Sequence, residues 1–147
     1  MELIHQVMNS YNMMRAIEQV TRNKGSAGED GMPVKALYGY WVTHREALTS
    51  SILNGTYLPQ AILGISIPKS NGKQRLLGVP TVIDRMLQQA VSQQLANLFE
   101  PDFSEFSYGF RPNKRAQRAV LKAQEHIHAG YQYIVDIDLQ NFFDEVD

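Results

Sequence analysis

Apolar side chains recur at intervals of three and four residues over much of this 147-residue chain, which is the pattern of helices with one buried face. Residues that favour helix starts or stops bound these stretches, with Pro33 before one of them and Gly25, Gly55 and Gly130 after others. The pattern predicts a mostly helical protein. The predicted helices cover 2–8, 12–23, 34–41, 44–54, 82–100 and 114–129, with Thr43, Thr81 and Asn113 as caps of the last three.

Each predicted helix carries an apolar stripe that we expect to be buried. The stripes comprise Met13, Ile17 and Val20; Leu37, Trp41, Leu48, Ile52 and Leu53; Ile83, Leu87, Ala90, Val91, Leu95 and Leu98; and Ala116, Val120, Ala123 and Ile127.

A change of pattern at 61–80 predicts a β-hairpin. Two β-type runs flank Ser70-Asn71-Gly72-Lys73, and Asn-Gly is the strongest short-range hairpin signal. Lys69 precedes the turn, and Lys73 and Arg75 follow it. These cations could neutralise the non-bridging oxygens of a triphosphate, or they could protect an exposed hairpin edge from aggregation.

The run from Tyr133 to Leu139 is apolar and β-branched, and it predicts a buried strand. Side chains alternate along a strand, so Asp136 and Asp138 would share one face, about 7 Å apart. Oxygen ligands of this kind suit Mg²⁺, although solvated acids at a strand end would have the same spacing.

Two further segments have a composition that suits nucleic acid. The loop at 23–31, NKGSAGEDG, could lay its backbone amides and Lys24 against a phosphate backbone, or could be a plain connector. The aromatic segment 101–112 places Arg111 among rings that could stack on bases or fill a core. On the helix that follows, Arg115, Arg118 and Lys122 share one face.

Composition excludes several classes of protein. There is no cysteine, which rules out disulfides and cysteine-ligated zinc and fits a reducing, cytoplasmic setting. No apolar stretch has the length of a membrane span, and the N-terminus lacks a signal-peptide pattern.

Charge is unevenly distributed although its net value is only -1. Residues 69–122 contain nine basic and four acidic side chains, and residues 123–147 contain six acidic and no basic ones. A basic middle beside an acidic end is expected where polyphosphate meets metal-binding carboxylates.

Three strings, taken together, resemble reverse transcriptases encoded by group II introns. They are I-P-K-x-x-G-x-x-R-x-L-G-V-P at 67–80, S-Y-G-F-R-P at 107–112 and YIVDIDLQNFFDEVD at 133–147. The resemblance implies an α/β (α+β) architecture, namely the fingers and partial palm of a right-hand polymerase. Its implied divisions are a helical N-terminal extension over 1–60, fingers over 61–130 and the start of the palm over 131–147.

The resemblance also implies roles for single residues. Asp138 would be the catalytic, metal-binding carboxylate, and Phe142 would pack under the sugar of the incoming nucleotide. Lys69 and Arg75 would contact that nucleotide's phosphates. The template strand would meet the loop at 23–31, with Lys24 and Gly25, and Arg111. Arg115 and Arg118, on the basic helix face next to Arg111, could also contact template phosphates or could simply be solvated. Asp136 lies where the family varies and takes no metal role.

In this family two Mg²⁺ ions catalyse RNA-templated addition of deoxynucleotides to a primer, and the proteins also bind their intron RNA as maturases. The 147 residues contain no Tyr-Ala-Asp-Asp string for the second half of the metal site. We therefore expect the chain by itself to be inactive and to hold Mg²⁺ poorly. The partners implied are RNA template, primer, deoxynucleotide and intron RNA, without a membrane.

Two interpretations remain open: the N-terminal portion of a reverse transcriptase, or a non-catalytic RNA-binding module. A D-x-D phosphatase fits less well, because its nucleophilic strand normally lies near the start of the domain. In either case the apolar palm strand would have an exposed edge, so self-association is a further expectation.

Overall fold

The computed structural model of the protein describes residues 2–68, 72–139 and 142. Its described part is mainly helical with one two-stranded antiparallel sheet, which confirms the predicted α+β class. The helices are α1 (Leu3–Val7), α2 (Ser10–Asn23), α3 (Leu37–Leu53), α4 (Val82–Phe99) and α5 (Ala116–His128), and the strands are β1 (Leu63–Pro68) and β2 (Gln74–Val79). Short 3₁₀ turns cover Val34–Ala36 and Glu100–Asp102.

The chain forms two compact units, Met1–Pro101 and Asp102–Asp147. The division into 1–60, 61–130 and 131–147 refers to parts of a polymerase and stays a prediction.

The core of the first unit lies where α2 packs against α4. Met13, Ile17 and Val20 of α2 are buried, as their spacing predicts. On α4 the buried row is Val82, Met86 and Ala90, whose separation of four residues places them on one side of the helix. The predicted α4 stripe was therefore only partly correct: Ala90 is buried and Ile83 and Leu87 pack against the core, but Val91 and Leu98 are exposed.

Asn12 is a buried polar residue that ties three helices together. Its Nδ2 donates to the carbonyl oxygens of Val7 at 2.8 Å and Ala90 at 3.0 Å, and its Oδ1 accepts from Gln93 at 2.8 Å and Gln94 at 2.7 Å. Because donors and acceptors are all engaged, the side chain can be buried in an otherwise apolar interface.

Helix α3 is one continuous helix and not the two that were predicted. Thr43 does not cap a new helix, because its hydroxyl donates to the carbonyl of Gly39 within the same helix, at 3.1 Å. Leu37, Trp41 and Leu48 are buried as expected, whereas Leu53 is exposed. The helix ends as predicted, with Gly55 at a φ of 67°.

The end of α2 differs from its prediction by one residue. Lys24, and not Gly25, adopts the left-handed conformation, with a φ of 50°. Gly25 instead leaves space for the side chain of Arg85, which lies directly over it.

In the second unit, α5 begins later than expected. Its N-cap is Arg115, without a side-chain capping bond, and Asn113 lies in the preceding turn at a φ of 59°. No residue of α5 is buried, and Val120 is 67% exposed. The predicted burial of its stripe was wrong, because a stripe is buried only where another element covers it.

The predicted buried strand at Tyr133–Leu139 is not formed. These residues have no regular secondary structure, and every one of them is exposed. A strand needs a hydrogen-bonded neighbour, and the only ladder among the described residues joins β1 to β2. An apolar, β-branched composition is therefore not sufficient to form a strand at 133–139.

Candidate nucleic-acid interface

The hairpin predicted at 61–80 is present, and its register defines two faces. Ile67 pairs with Arg75 and Ile65 with Leu77, and paired residues lie on the same side of a sheet. Arg75 is thus on the more apolar face, and both Arg75 and Lys73 are exposed. Lys69 lies outside the described residues. The hairpin thus presents Arg75 to solvent near the turn, where a polyphosphate could reach it.

A buried carboxylate anchors the segment that leads into this hairpin. Asp84, in the first turn of α4, accepts hydrogen bonds from the Tyr57 hydroxyl at 2.6 Å and from the Gln60 backbone amide at 3.1 Å. The Thr81 hydroxyl also donates to it, at 2.7 Å. Burial, reinforced by the bond to Asp84, raises the pKa of the Tyr57 hydroxyl, so this donor stays protonated.

The loop at 23–31 is attached to the start of α4. Gly28 is buried against the backbone of Pro80 and Thr81, and the guanidinium of Arg85 donates through Nη2 to the carbonyl oxygen of Ser26. Arg85 also lies directly over Gly25. Lys24, beside this arrangement, is exposed at the end of α2. The structure therefore places Arg85 of α4 in direct contact with the predicted template loop.

An open cavity of about 270 Å³ lies beside Arg85, between α2 and α4. Except for one valine, its lining consists of polar side chains that can form hydrogen bonds. The lining residues are Val20, Asn23, Arg85, Gln88, Gln89 and Ser92.

In the second unit Arg111 organises the loop that it belongs to. Its Nη1 donates to the carbonyl oxygens of Ser104 at 2.5 Å and Ser107 at 3.1 Å, and its guanidinium lies 5.1 Å from the centre of the Phe103 ring. These contacts hold the aromatic segment in a closed turn. A template contact by Arg111 remains a prediction.

Phe110 is the most unusual residue of that turn. Its ring is fully exposed, and its backbone has a φ of 53°, a conformation that bulky residues rarely adopt. A backbone conformation of this kind is unfavourable and is concentrated at binding sites. The sequence drew attention to aromatics in this segment but could not indicate which ring is the most exposed.

The basic face of α5 is only partly available. Arg115 and Arg118 are exposed, whereas Lys122 donates to Glu125 Oε2 at 2.7 Å. This bond raises the pKa of Lys122 and lowers that of Glu125. Lys122 is therefore already paired with an anion, and Arg115 and Arg118 are the better candidates for phosphate contacts.

Asp138, the carboxylate that was predicted to bind metal, lies in the exposed segment after α5. Oδ1 of Asp138 accepts from the backbone amide of Leu139 at 2.9 Å, and Asp136 is exposed as well. Within 2–68, 72–139 and 142 there is no group of three potential metal ligands. Phe142 is described and is 49% exposed, while Asn141 and Phe143 lie outside the described residues.

Sequence reasoning missed three residues of this arrangement. They are Tyr57, Asp84 and Arg85, none of which the sequence pattern singles out. The available signal was the spacing Thr81-x-x-Asp84, which resembles a capping box and marks the start of α4. The partners of these side chains lie far away along the chain, so no local sequence pattern could identify them.

No helix in the described part of the chain is long and apolar enough to cross a membrane.

Comparison with known proteins gives a match to the family described as reverse transcriptase (RNA-dependent DNA polymerase), over residues 67–147. The match covers the hairpin turn, β2, α4, the aromatic segment, α5 and the acidic end.

Several curated proteins are similar to nearly the whole chain. Protein YkfC of Escherichia coli (strain K12) is 32% identical over 123 residues, which cover 81% of this chain and 32% of that protein. Group II intron-encoded protein LtrA of Lactococcus lactis subsp. cremoris is 33% identical over 133 residues, covering 90% of this chain and 22% of LtrA. The putative COX1/OXI3 intron 1 protein of Saccharomyces cerevisiae is 23% identical over 140 residues. The chain spans less than a third of the length of each of these relatives.

Proposed function

The chain belongs to the reverse transcriptase (RNA-dependent DNA polymerase) family, among its group II intron reverse transcriptase/maturase members, and on this premise we propose that it is the part that binds RNA template and deoxynucleotide. The observation that carries the proposal is the family match over residues 67–147, a range that contains the three strings on which the resemblance rests. The complete protein would be an RNA-directed DNA polymerase whose partners are template, primer and its intron RNA.

Two surfaces support RNA binding, one in each unit. In the first unit the loop at 23–31 presents Lys24 and exposed backbone beside α4. In the second unit Phe110 offers an exposed ring for stacking, and Arg115 and Arg118 offer cations for phosphate. Rings that stack on bases and cations that contact the backbone are the usual components of single-strand recognition.

The nucleotide-binding roles follow the resemblance. Arg75, on the exposed hairpin, would contact the triphosphate together with Lys69, and Phe142 would contact the sugar. Arginine suits this role because its planar guanidinium can donate two parallel hydrogen bonds to a phosphate.

Mg²⁺ would meet an incomplete site in this chain. Exposed carboxylates such as Asp138 have the hard oxygen donors that Mg²⁺ prefers. However, the described residues contain no group of three potential metal ligands. Asp138 would therefore supply one carboxylate of the site. We therefore propose that the 147-residue chain alone does not extend a primer.

The alternative is a non-catalytic RNA-binding module. RNA binding by the basic and aromatic surfaces requires no metal, and it would use Phe110, Arg115 and Arg118, which are exposed. Primer extension by the purified chain, if it is lost in the Asp138→Ala variant, would contradict this alternative and the proposed inactivity alike.

RNA binding is tested by fluorescence anisotropy with a labelled single-stranded RNA over a series of salt concentrations. The Arg115→Gln/Arg118→Gln double variant should bind more weakly and should reduce the slope of log K against log salt by about 1.4. The matched control is Lys35→Gln/Arg45→Gln, which removes two exposed cations elsewhere. Equal affinity and slope in both double variants would overturn the proposed RNA surface on α5.

A further inference from the structure

Two glycines of the loop at 23–31 lie so close to the start of α4 that a side chain would not fit at either position. Arg85 occupies the space beside Gly25, and the backbone of Pro80 and Thr81 occupies the space beside Gly28. A Cβ at Gly28 would lie 2.7 Å from Thr81 Cα and 2.9 Å from the Pro80 carbonyl oxygen, which are backbone atoms. A Cβ at Gly25 would instead collide with the guanidinium of Arg85. Gly28 thus packs against the backbone before α4, whereas the contact at Gly25 depends on the side chain of Arg85.

That side chain makes a second contact with the same loop. Nη2 of Arg85 donates to the carbonyl oxygen of Ser26, so the guanidinium both covers Gly25 and holds the next residue. Gly25 and Ser26 lie directly after Lys24, the exposed cation of the loop.

We propose that Arg85 is a positioning residue, which holds Gly25–Ser26 so that the loop is already in its RNA-binding conformation before RNA arrives. A preorganised loop loses less conformational entropy on binding, and the affinity rises accordingly. The inference rests on the proposed RNA-binding function of the loop.

A purely stabilising role does not account for the environment of Arg85. Its Nε is buried and has no hydrogen-bond partner among the residues that the structure describes. A buried donor without an acceptor is unfavourable for folding. Methionine at this position would keep an apolar stem and remove that unpaired donor, so its effect on the loop can be separated from any effect on stability.

The test compares wild-type protein with the Arg85→Met variant and with Gln88→Met, which changes an exposed residue of the same cavity that forms no hydrogen bond to the loop in the described part of the chain. Trypsin cleavage after Lys24 reports whether the loop is held. We expect cleavage to be several-fold faster in Arg85→Met, RNA affinity to fall about tenfold, and the salt slope to stay unchanged because no phosphate contact is lost. Gln88→Met should behave as wild type.

The Gly25→Ala variant gives an independent readout. Its methyl group would displace the guanidinium from Ser26, so it should weaken RNA binding by a similar factor, and it should add nothing in the Arg85→Met background. Additive losses would mean that the two residues act separately, which overturns the proposal.

Two other results would also overturn it. Unchanged cleavage after Lys24 in Arg85→Met would show that Arg85 does not hold the loop. A reduced salt slope in that variant would show that Arg85 contacts RNA itself. If wild-type protein fails to bind RNA, the proposed function falls, whereas the cleavage comparison still decides whether Arg85 holds the loop.

Discussion

The hydroxyl of Tyr57 donates a 2.6 Å hydrogen bond to Oδ1 of Asp84, and this bond joins the chain before the hairpin to the first turn of α4. The Gln60 amide binds the other oxygen of the same carboxylate. The position of the hairpin, and with it Arg75, therefore depends on a buried acid at the start of a helix.

Removal of this hydroxyl should destabilise the protein. The Tyr57→Phe variant leaves Asp84 buried with one donor fewer, at a cost of about 1–3 kcal/mol. Urea unfolding would measure the change, and Tyr38→Phe, on an exposed ring, is the control. Equal midpoints for the two variants would show that the bond contributes nothing.

The same hydroxyl should make stability depend on alkaline pH. Its pKa is higher in the folded protein than its ordinary value of 10.0, since burial and the bond to Asp84 favour the protonated form. Its contribution is therefore complete below about pH 10 and is lost as the pH rises through the folded value. The stability difference between wild type and Tyr57→Phe should be constant up to about pH 10 and should shrink above it in urea titrations, and a difference that stays constant above about pH 10 would contradict the assignment.

Gly28→Ala should be costly because the new methyl group would meet backbone atoms. Thr81 N would lie 2.8 Å from it and cannot move without disturbing the start of α4. We expect a loss of about 1–3 kcal/mol in the free energy of unfolding. The control is Gly39→Ala, on α3, where nothing lies within 4 Å and alanine should instead stabilise the helix. Stabilisation by both substitutions would refute the packing of the loop on α4.

The exposed apolar segment after α5 should promote association. Ile134, Val135 and Ile137 are each more than 80% exposed in the single chain, at 86%, 83% and 83%. Sedimentation velocity should show a mass that rises with protein concentration, and Ile137→Lys should reduce that rise. Gln132→Lys adds the same charge without removing an apolar side chain. A monomer at every concentration would exclude association through this segment.

How much the sequence could predict depended on the range of the interactions. Local signals identified the hairpin from Asn71-Gly72, the α4 start from Thr81 and the α3 end from Gly55. Burial on α4 was partly misjudged, because the face that meets α2 is decided by contacts between distant residues, such as Asn12 and Ala90, which lie 78 positions apart.

The misjudged elements of the second unit have a similar cause. Residues 133–139 have the composition of a buried strand, but strand formation requires a partner strand that no local pattern supplies. The loop contacts of Arg85 could not be predicted either, because they join positions 59 residues apart. The roles proposed for Lys69, Arg75, Asp138 and Phe142 come from the family resemblance.

The most direct test of RNA binding is to map where RNA lies on the protein. A photoreactive single-stranded RNA, cross-linked to the 147-residue chain and identified by peptide mass spectrometry, should label the loop at 23–31 and the segment that contains Phe110. The Phe110→Ala variant should lose the second set of adducts and keep the first. Adducts confined to the outer face of α3, with none at either predicted segment, would contradict the assignment of this chain as the template-binding part of a reverse transcriptase.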